Sequence, residues 1–289
     1  MRASRQRART VRALLDYGVA RFEAAQLSFG HGTSNALDEA AWLILHALGL
    51  PPRDLDHHLD RRVRTRKPAA YLIHEAWLGP HRFYVDERVI VPRSFIAEWL
   101  ENRGQTTFFR PAEKRGLSPV SILDLCTGSG CLAIVAALRC PQAHVDAADL
   151  SEEALAVAQR NVADYRLEGR VRLVHSDLFA ALAGRTYDLI VSNPPYVTAA
   201  SMRRLPEEYR SEPRMALASG ADGLEHTRSI LAHAREHLKP GGRLVVEIGR
   251  NRAALVRAYP RLAFQWPRLG AGTGCVFTLA RMALPAAGL

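Results

Sequence analysis

The spacing of apolar residues predicts helices in the amino-terminal quarter of the chain. Residues 11–28 carry apolar side chains three and four positions apart, the pattern of an amphipathic helix. A second helix is predicted from an N-cap at Asn35, supported by Asp38, through Leu48. A third, shorter and more polar helix is predicted at 53–62. The glycine and prolines at 49–52 end the second helix.

The apolar spacing changes between Tyr71 and Val91, where it becomes that of strands. Gly79 and Pro80 interrupt this segment, which predicts a β-hairpin joining two domains. A helix is predicted to begin after Pro92 and to close near Leu100, followed by a polar connection at 102–119.

From Ser121 onward, apolar strand-like runs alternate with helical segments, the pattern of a doubly wound sheet. The last two strands have no helix between them, so the simplest arrangement is a hairpin that adds one antiparallel strand. The predicted strands are 121–125, 144–149, 171–175, 188–192, 243–248, 262–266 and 275–280. The predicted helices are 130–139, 151–164, 224–238 and 251–259, and a Lys-Pro-Gly-Gly turn at 239–242 precedes the fifth strand.

These patterns predict an α/β protein with a seven-stranded Rossmann-like sheet whose last strand is antiparallel. A small amino-terminal helical domain and a linking β-hairpin complete the predicted fold class. The predicted boundaries are 1–75 for a helical substrate-docking domain, 76–119 for the hairpin and linker, and 120–289 for the catalytic domain.

Composition narrows the class of protein without identifying it. The chain is 48% apolar and 24% charged, which is ordinary for a globular protein. No stretch approaches the roughly 20 consecutive apolar residues of a membrane span. The arginines among residues 1–12 resemble a transit peptide, but acids at Asp16 and Glu23 favour a mature helix behind a basic tail. The net charge of +10 fits an acidic or nucleic-acid-bearing partner, or an arginine-biased genome.

The cysteines show neither a paired CxxC motif nor zinc-ligand spacing. Free thiols are therefore expected, which indicates a cytoplasmic protein. The four cysteines are Cys126, Cys131, Cys140 and Cys275. No metal site is predicted.

The most informative motif follows the apolar strand at 188–192. Two consecutive prolines cannot continue a strand, so the chain leaves the sheet with Asn193 at its carboxyl edge. Ligands of open α/β sheets bind at that edge. An amide, unpaired carbonyls and an aromatic ring suit a flat group that carries N–H hydrogens. The predicted catalytic residues are Asn193, Pro194, Pro195 and Tyr196.

A glycine-rich loop after the first strand of the sheet predicts a cofactor site. Glycines let the backbone approach a ligand and direct helix-start N–H groups toward it. Asp149, about 20 residues on, ends the next strand and is placed to accept hydrogen bonds from ribose hydroxyls. Asp177 ends the third strand, where it either faces an adenine amino group or caps the following helix. The predicted cofactor-binding residues are Cys126, Thr127, Gly128, Ser129, Gly130, Asp149, Asp177, Leu178 and Asn193.

The sequence of this loop is compatible with two different cofactors. Residues 128–133 satisfy the GxGxxA form of the dinucleotide fingerprint, so NAD is an alternative. The hairpin ending of the sheet and the Asn193–Tyr196 turn favour S-adenosylmethionine instead.

In order along the chain, Asp124–Gly130, Asp149, Ser176–Phe179 and Asn193–Tyr196 resemble class I methyltransferases of the protein-glutamine N5 family. Segments at Tyr84–Ser94, Glu208–Pro213 and Leu217–Leu224, with the cysteines that flank the glycine loop, resemble the branch that modifies ribosomal protein L-three. The release-factor branch differs at 91–97. Two departures from the family are a shortened helical domain between Leu59 and Ala69, and Leu178, where an aromatic residue is common in the release-factor branch.

The resemblance implies methylation of a glutamine side chain in ribosomal protein L-three, with S-adenosylmethionine as donor and ribosomal RNA nearby. Asn193 and the Pro194 carbonyl would hold the amide hydrogens, and Tyr196 would pack against the amide plane. The alternatives are methylation of a release factor, adenine-N6 methylation of nucleic acid, and a non-catalytic ribosome-assembly protein.

Four further expectations concern the surroundings of this site. Phe83 and Arg93 are expected to close over the cofactor, with a surface ion pair as the alternative for Arg93. Residues 206–224 are expected to form a lid that contacts the peptide. His175 is expected to be structural.

Overall fold

A computed structural model of the chain describes residues 10–47, 53–102, 120–270 and 272–285. The predicted basic tail, the end of the second helix at Gly49, Pro51 and Pro52, and the connection at 103–119 lie outside these residues. The helices are α1 (Val11–Ala24), α2 (Ala36–Ala47), α3 (Arg53–Thr65), α4 (Ala69–Ile73), α5 (Phe95–Asn102), α6 (Cys131–Arg139), α7 (Glu152–Asp164), α8 (Ala199–Met202), α9 (Glu225–His233) and α10 (Arg252–Ala258). The strands are β1 (Ala76–Leu78), β2 (His81–Phe83), β3 (Ser121–Leu125), β4 (His144–Asp149), β5 (Val171–His175), β6 (Tyr187–Ser192), β7 (Leu238–Glu247), β8 (Arg268–Leu269), β9 (Gly272–Thr273) and β10 (Val276–Ala280).

Side-chain caps begin several of the helices where the sequence predicts them. Asn35 accepts a hydrogen bond from the Asp38 amide at 2.8 Å and begins α2. Ser151 accepts from the Ala154 amide at 3.1 Å and begins α7. In the part of the chain that the structure describes, no helix is long and apolar enough to cross a membrane.

The central sheet has the strand order β10-β7-β6-β3-β4-β5, in which all neighbours are parallel except β10 and β7. The predicted α/β fold class is confirmed, including the antiparallel last strand, but among the described residues the sheet has six strands rather than the predicted seven. Alternate side chains of the strands enter two cores, because successive residues point to opposite faces. Ile122 and Val145 pack with α5 and α6, while Leu123 and Leu244 pack with α9 and α10.

Three predicted elements differ from the structure. The segment 262–266 forms one isolated bridge between Gln265 and Thr278 rather than a seventh strand, because its apolar residues pack as a loop against Phe277. The Lys-Pro-Gly-Gly turn lies inside β7 as an irregularity in its pairing with β6. α9 ends at His233 rather than at 238.

The linking hairpin is shorter than predicted. β1 and β2 pair around the turn at 79–80, while Tyr71 lies in α4. The helices α1 to α4 enclose a core of their own that includes Phe22, Leu43 and Leu59. The segment after β2 packs Val85 and Val89 against Val157 of α7, which joins this region to the sheet.

Candidate active site

The predicted site residues meet at the carboxyl edge of the sheet. The glycine loop follows β3, Asp149 ends β4, and the Asn193–Tyr196 turn follows β6, and these strands are direct neighbours. Ser192 donates a hydrogen bond from its hydroxyl to the Leu125 carbonyl at 2.9 Å, which joins the ends of β6 and β3. The turn Asn193–Tyr196, which we call the acceptor turn, and the glycine loop therefore begin next to each other, directly after two hydrogen-bonded residues.

The glycine loop is a tight turn with backbone angles that favour glycine. Gly128 and Gly130 have φ of 55° and 79°, and Cys126 adopts a φ of 59°. A Cβ at Gly130 would lie 3.2 Å from the Ala158 Cβ, so α7 packs directly beneath the loop. A Cβ at Gly128 would meet nothing within 4 Å, so its outer side is open to a ligand.

Asp149 holds the loop by its carboxylate. Its two oxygens accept from the Gly128 amide at 2.8 Å and from the Ser151 amide at 2.9 Å. Burial raises its pKa, while these backbone hydrogen bonds oppose the shift. A carboxylate has about four lone-pair sites, so Asp149 keeps acceptor capacity for ribose hydroxyls.

Asp124, which the sequence marked only as the start of a motif, supports the loop from below. It is fully buried and accepts from the Thr127 hydroxyl at 2.6 Å and from the Ala133 amide at 3.0 Å. Its other oxygen has no hydrogen-bond partner among the described residues. Burial raises the pKa of Asp124 to about 7.

Asn193 presents a buried, unused acceptor. Its side-chain oxygen has no hydrogen-bond partner in the described part of the chain. A buried acceptor without a donor costs on the order of 1–3 kcal/mol, so this atom is suited to bind a donor from a ligand.

The tyrosine of the turn packs closely against glycines on two neighbouring loops. A Cβ at Gly249 would lie 2.7 Å from Cε2 of Tyr196, and a Cβ at Gly223 would overlap its carbonyl oxygen. The Asn251 amide donates to the same carbonyl at 2.7 Å. These three residues were not predicted, since their contacts with Tyr196 come from loops that are distant in sequence.

Asp177 and Leu178 lie one strand further out, after β5. Asp177 is exposed, and the adjacent hydroxyl of Ser176, rather than Asp177, accepts from the Ala181 amide at 3.0 Å. Capping by the Asp177 side chain is therefore not observed. Leu178 has a φ of 45°. Both residues line a cavity of about 600 Å³, which His233 and His237 also line and the glycine loop does not.

Glu247 is an additional carboxyl group at the same edge, at the end of β7. It accepts from the Ser94 hydroxyl at 2.7 Å and from the Phe95 amide at 2.9 Å, so it joins the linker to the sheet. Burial raises its pKa to about 7, and these hydrogen bonds oppose the shift. The signal that identified Asp149, an acid ending an apolar strand, applies equally to Glu247.

Arg93 forms an ion pair rather than closing over a cofactor. Its guanidinium makes two bonds to Glu212, at 2.6 and 2.7 Å, and the Val91 amide donates to Glu212 at 3.0 Å. The expectation for Phe83 was wrong, because Phe83 is 1% exposed and packs in the core against Tyr165. His175 contacts the Leu150 carbonyl at 2.9 Å, consistent with a structural role.

Like Glu212, Glu208 is a buried carboxylate in the predicted lid at 206–224, and it joins this region to the amino-terminal helices. Glu208 accepts a hydrogen bond from the Ser28 amide at 3.0 Å and forms ion pairs with Arg66 at 3.0 Å and Arg62 at 3.7 Å. Arg62 is itself fully buried and bonds Glu39 of α2. The predicted lid region is therefore attached by Glu208 and Glu212 to segments more than 100 positions earlier.

Comparisons with known proteins agree with this arrangement. Residues 112–210 match the family described as the Methyltransferase small domain. The ribosomal protein uL3 glutamine methyltransferase of Neisseria meningitidis serogroup B is 53% identical over 288 residues, covering 94% of this chain and 93% of the relative. The proteins of the same name from Burkholderia pseudomallei and Bradyrhizobium diazoefficiens are 49% and 45% identical, covering 96% and 91% of this chain and 96% and 88% of those proteins.

Among solved structures, the hMettl16 catalytic domain in complex with MAT2A 3'UTR hairpin 6 has a TM-score of 0.52. It is 13% identical and covers 96% of this chain and 95% of its own. At this identity the likeness concerns the fold alone.

Proposed function

Since this chain belongs to the family of ribosomal protein uL3 glutamine methyltransferases, we propose that it methylates the N5 nitrogen of a glutamine side chain in that ribosomal protein. The observation that carries the proposal is the unused side-chain oxygen of Asn193 beside the glycine loop. An acceptor without a partner at this position is suited to a substrate N–H group.

The residues fit S-adenosylmethionine as methyl donor. The open side of Gly128, the carboxylate of Asp149 and the carboxyl ends of β3 and β4 would hold it. Asp177 and Leu178 extend the same edge toward the adenine end. When bound, S-adenosylmethionine supplies an electrophilic methyl group on a sulfonium that leaves as a neutral thioether.

A glutamine amide is a weak nucleophile, because its nitrogen lone pair is delocalised into the carbonyl. Asn193 would accept one amide hydrogen by its side-chain oxygen, and the Pro194 carbonyl would accept the other. Together they fix the direction in which the nitrogen faces, and the nitrogen loses one of these hydrogens as a proton once its bond to the methyl carbon has formed. Such positioning can lower the activation free energy of methyl transfer by on the order of 7–11 kcal/mol.

Pro195 and Tyr196 complete the acceptor site. The prolines restrict the backbone of the turn, so the two acceptors are held in place before the substrate arrives. Tyr196, seated on Gly249, would pack against the amide plane and exclude water.

The direct test is methyl transfer from labelled S-adenosylmethionine to ribosomal particles from cells that lack this enzyme. We expect label on one glutamine of uL3, located by mass spectrometry of the digested protein. Label in a release factor or in nucleic acid would contradict the proposed substrate. Tight donor binding without any label would favour a non-catalytic assembly protein.

The role of Asn193 is tested separately. We expect Asn193→Ala to abolish turnover while donor affinity, measured by calorimetry, stays near that of the wild type. An equal loss of donor binding would place Asn193 in the donor site instead.

A further inference from the structure

The segment 198–219 leaves the acceptor turn and returns to it, and we call this segment the excursion. At its base, the Val197 amide donates to the Leu217 carbonyl at 2.8 Å, and the Ser219 amide donates to the Val197 carbonyl at 2.9 Å. The two ends of the excursion are therefore bonded directly behind Tyr196.

The exposed side of the excursion carries Glu207 as well as arginines, but the buried charged groups of the excursion are carboxylates only. Its two buried carboxylates, Glu208 and Glu212, are bound by Arg66 and Arg93 from earlier parts of the chain. These ion pairs fix the inner side of the excursion. The exposed side of the excursion is therefore also fixed in position relative to the rest of the protein.

The outer side of the excursion is rich in arginine. Four arginines are exposed there, and none has a carboxylate within ion-pair distance among the described residues. Elsewhere many exposed arginines are paired, as Arg88 is with Asp86 and Arg228 is with Asp222. The unpaired arginines are Arg203, Arg204, Arg210 and Arg214.

The acceptor site lies within reach of these charges. Arg214 is four residues from Ala218, which pairs with Val197, so the two backbone positions are separated by at most about 14 Å. A phosphate bound by Arg214 would therefore lie near Val197, the residue that follows Tyr196.

We propose that Arg203, Arg204, Arg210 and Arg214 bind RNA phosphates, and that the enzyme meets its substrate protein beside RNA. This inference rests on the proposed function and specifies the form of its substrate. Arginine is suited to phosphate, since its planar fork donates two parallel hydrogen bonds.

Electrostatics favours RNA over an acidic peptide as the partner. Proteins that lie in RNA carry basic surfaces of their own. The unpaired arginines of the excursion repel a free basic protein, whereas RNA attached to that protein reverses the sign of the interaction. The net charge of +10 on the whole chain acts in the same direction.

The test compares two quadruple glutamine variants of the full chain. One replaces Arg203, Arg204, Arg210 and Arg214, and the matched control replaces four exposed arginines elsewhere, Arg166, Arg257, Arg261 and Arg268. Binding of a fluorescent hairpin RNA is measured by anisotropy over a series of KCl concentrations. We expect the first variant to reduce the slope of log K against log salt by about 3, or roughly 0.7–0.9 per lost phosphate contact, while the control keeps the wild-type slope.

Activity separates this inference from the proposed function. Each protein is assayed on a short glutamine peptide of uL3, on free uL3 and on uL3 bound to ribosomal RNA. We expect the first variant to lose the preference for RNA-bound uL3 over free uL3 and over the peptide, while the control variant keeps that preference. Wild-type methylation of none of the three substrates would overturn the proposed function.

Two outcomes would overturn the inference alone. One is an unchanged salt slope in the first variant. The other is faster wild-type methylation of free uL3 than of the RNA-bound form, with polyglutamate competing better than RNA.

Discussion

Glu247 shows how burial sets the protonation of a side chain beside the acceptor turn. The carboxyl is almost fully buried, and burial raises its pKa from the ordinary 4.5 to about 7. In the folded protein this group keeps its proton at pH values where the unfolded chain has lost it. The folded state therefore binds more protons than the unfolded state between these two values.

This difference makes the free energy of unfolding fall as pH rises from about 4.5 to about 7. We expect Glu247→Gln to remove up to about 1.4 kcal/mol per pH unit of that decline, measured by urea unfolding at several pH values. His31 acts with the opposite sign, since burial lowers its pKa to about 4, so each variant is compared with the wild type at the same pH. The control is the exposed Glu168→Gln, and an identical pH profile for Glu247→Gln and the wild type would contradict the prediction.

Gly249 leaves room for the ring of Tyr196 because it has no Cβ. An alanine Cβ there would lie 2.7 Å from the Tyr196 ring, and φ is +55°. We expect Gly249→Ala to lower kcat roughly 100-fold, because small misplacements at a reacting centre cost about that much. Turnover and donor affinity are measured together.

The matched control is Gly241→Ala, which has a φ of +80° and nothing within 4 Å of the added Cβ. It carries a similar backbone penalty of roughly 1–2 kcal/mol without touching Tyr196. Equal loss of turnover in the two variants would assign the effect to backbone strain and not to the tyrosine.

At the scale of elements, local sequence patterns were sufficient to predict the strands of the sheet. They were insufficient to predict the ion pairs that attach the excursion to earlier parts of the chain. Buried parallel strands appear as continuous apolar runs, so the predicted ends of β3 and β4 agree with the structure. The run at 262–266 is equally apolar, but its residues pack against Phe277 outside the sheet, and composition does not distinguish the two cases. The pairing of Arg93 with Glu212 spans 119 positions, a distance over which no periodicity operates.

The ion pair between Arg93 and Glu212 is expected to hold the excursion closed. We expect Glu212→Gln to destabilise the fold by less than the roughly 3–5 kcal/mol of a fully buried pair, since it leaves Arg93, whose side chain is 22% exposed, without its counter-charge. Hydrogen exchange at the Val197 and Ser219 amides, which bond the base of the excursion, should accelerate. Calorimetry and exchange measured by mass spectrometry check both effects.

The exposed neighbour Glu207→Gln serves as control. A double variant, Arg93→Met with Glu212→Leu, should lose less stability than the sum of the two single variants, because neither charge is then left alone. Additive losses would mean that the two side chains act independently.

At the scale of the molecule, we propose units at residues 1–75, 76–119 and 120–289, of which the second shares a core with the third because α5 and Phe83 pack with the sheet. The helices α1 to α4 have a separate core, and the segment after β2 packs on α7. Asn161 of α7 connects the second unit to the glycine loop, since its amide group donates to the Tyr84 carbonyl at 3.0 Å and to the Ser129 carbonyl at 2.9 Å. The first unit instead contacts the excursion through Glu208.

These contacts predict different losses for two shortened chains. A chain of residues 76–289 keeps the contact between Asn161 and Tyr84, so we expect donor affinity close to that of the full chain. It lacks Ser28, Arg62 and Arg66, so Glu208 loses its partners and methylation of uL3 should fall more than methylation of a short peptide. A chain of residues 120–289 also lacks Tyr84, Ser94 and the α5 side chains that pack in one core of the sheet, so both its stability to urea and its donor affinity should fall. Calorimetry and methyl transfer on both chains check the order of these losses, and equal donor affinity in the two would remove the linker from the donor site.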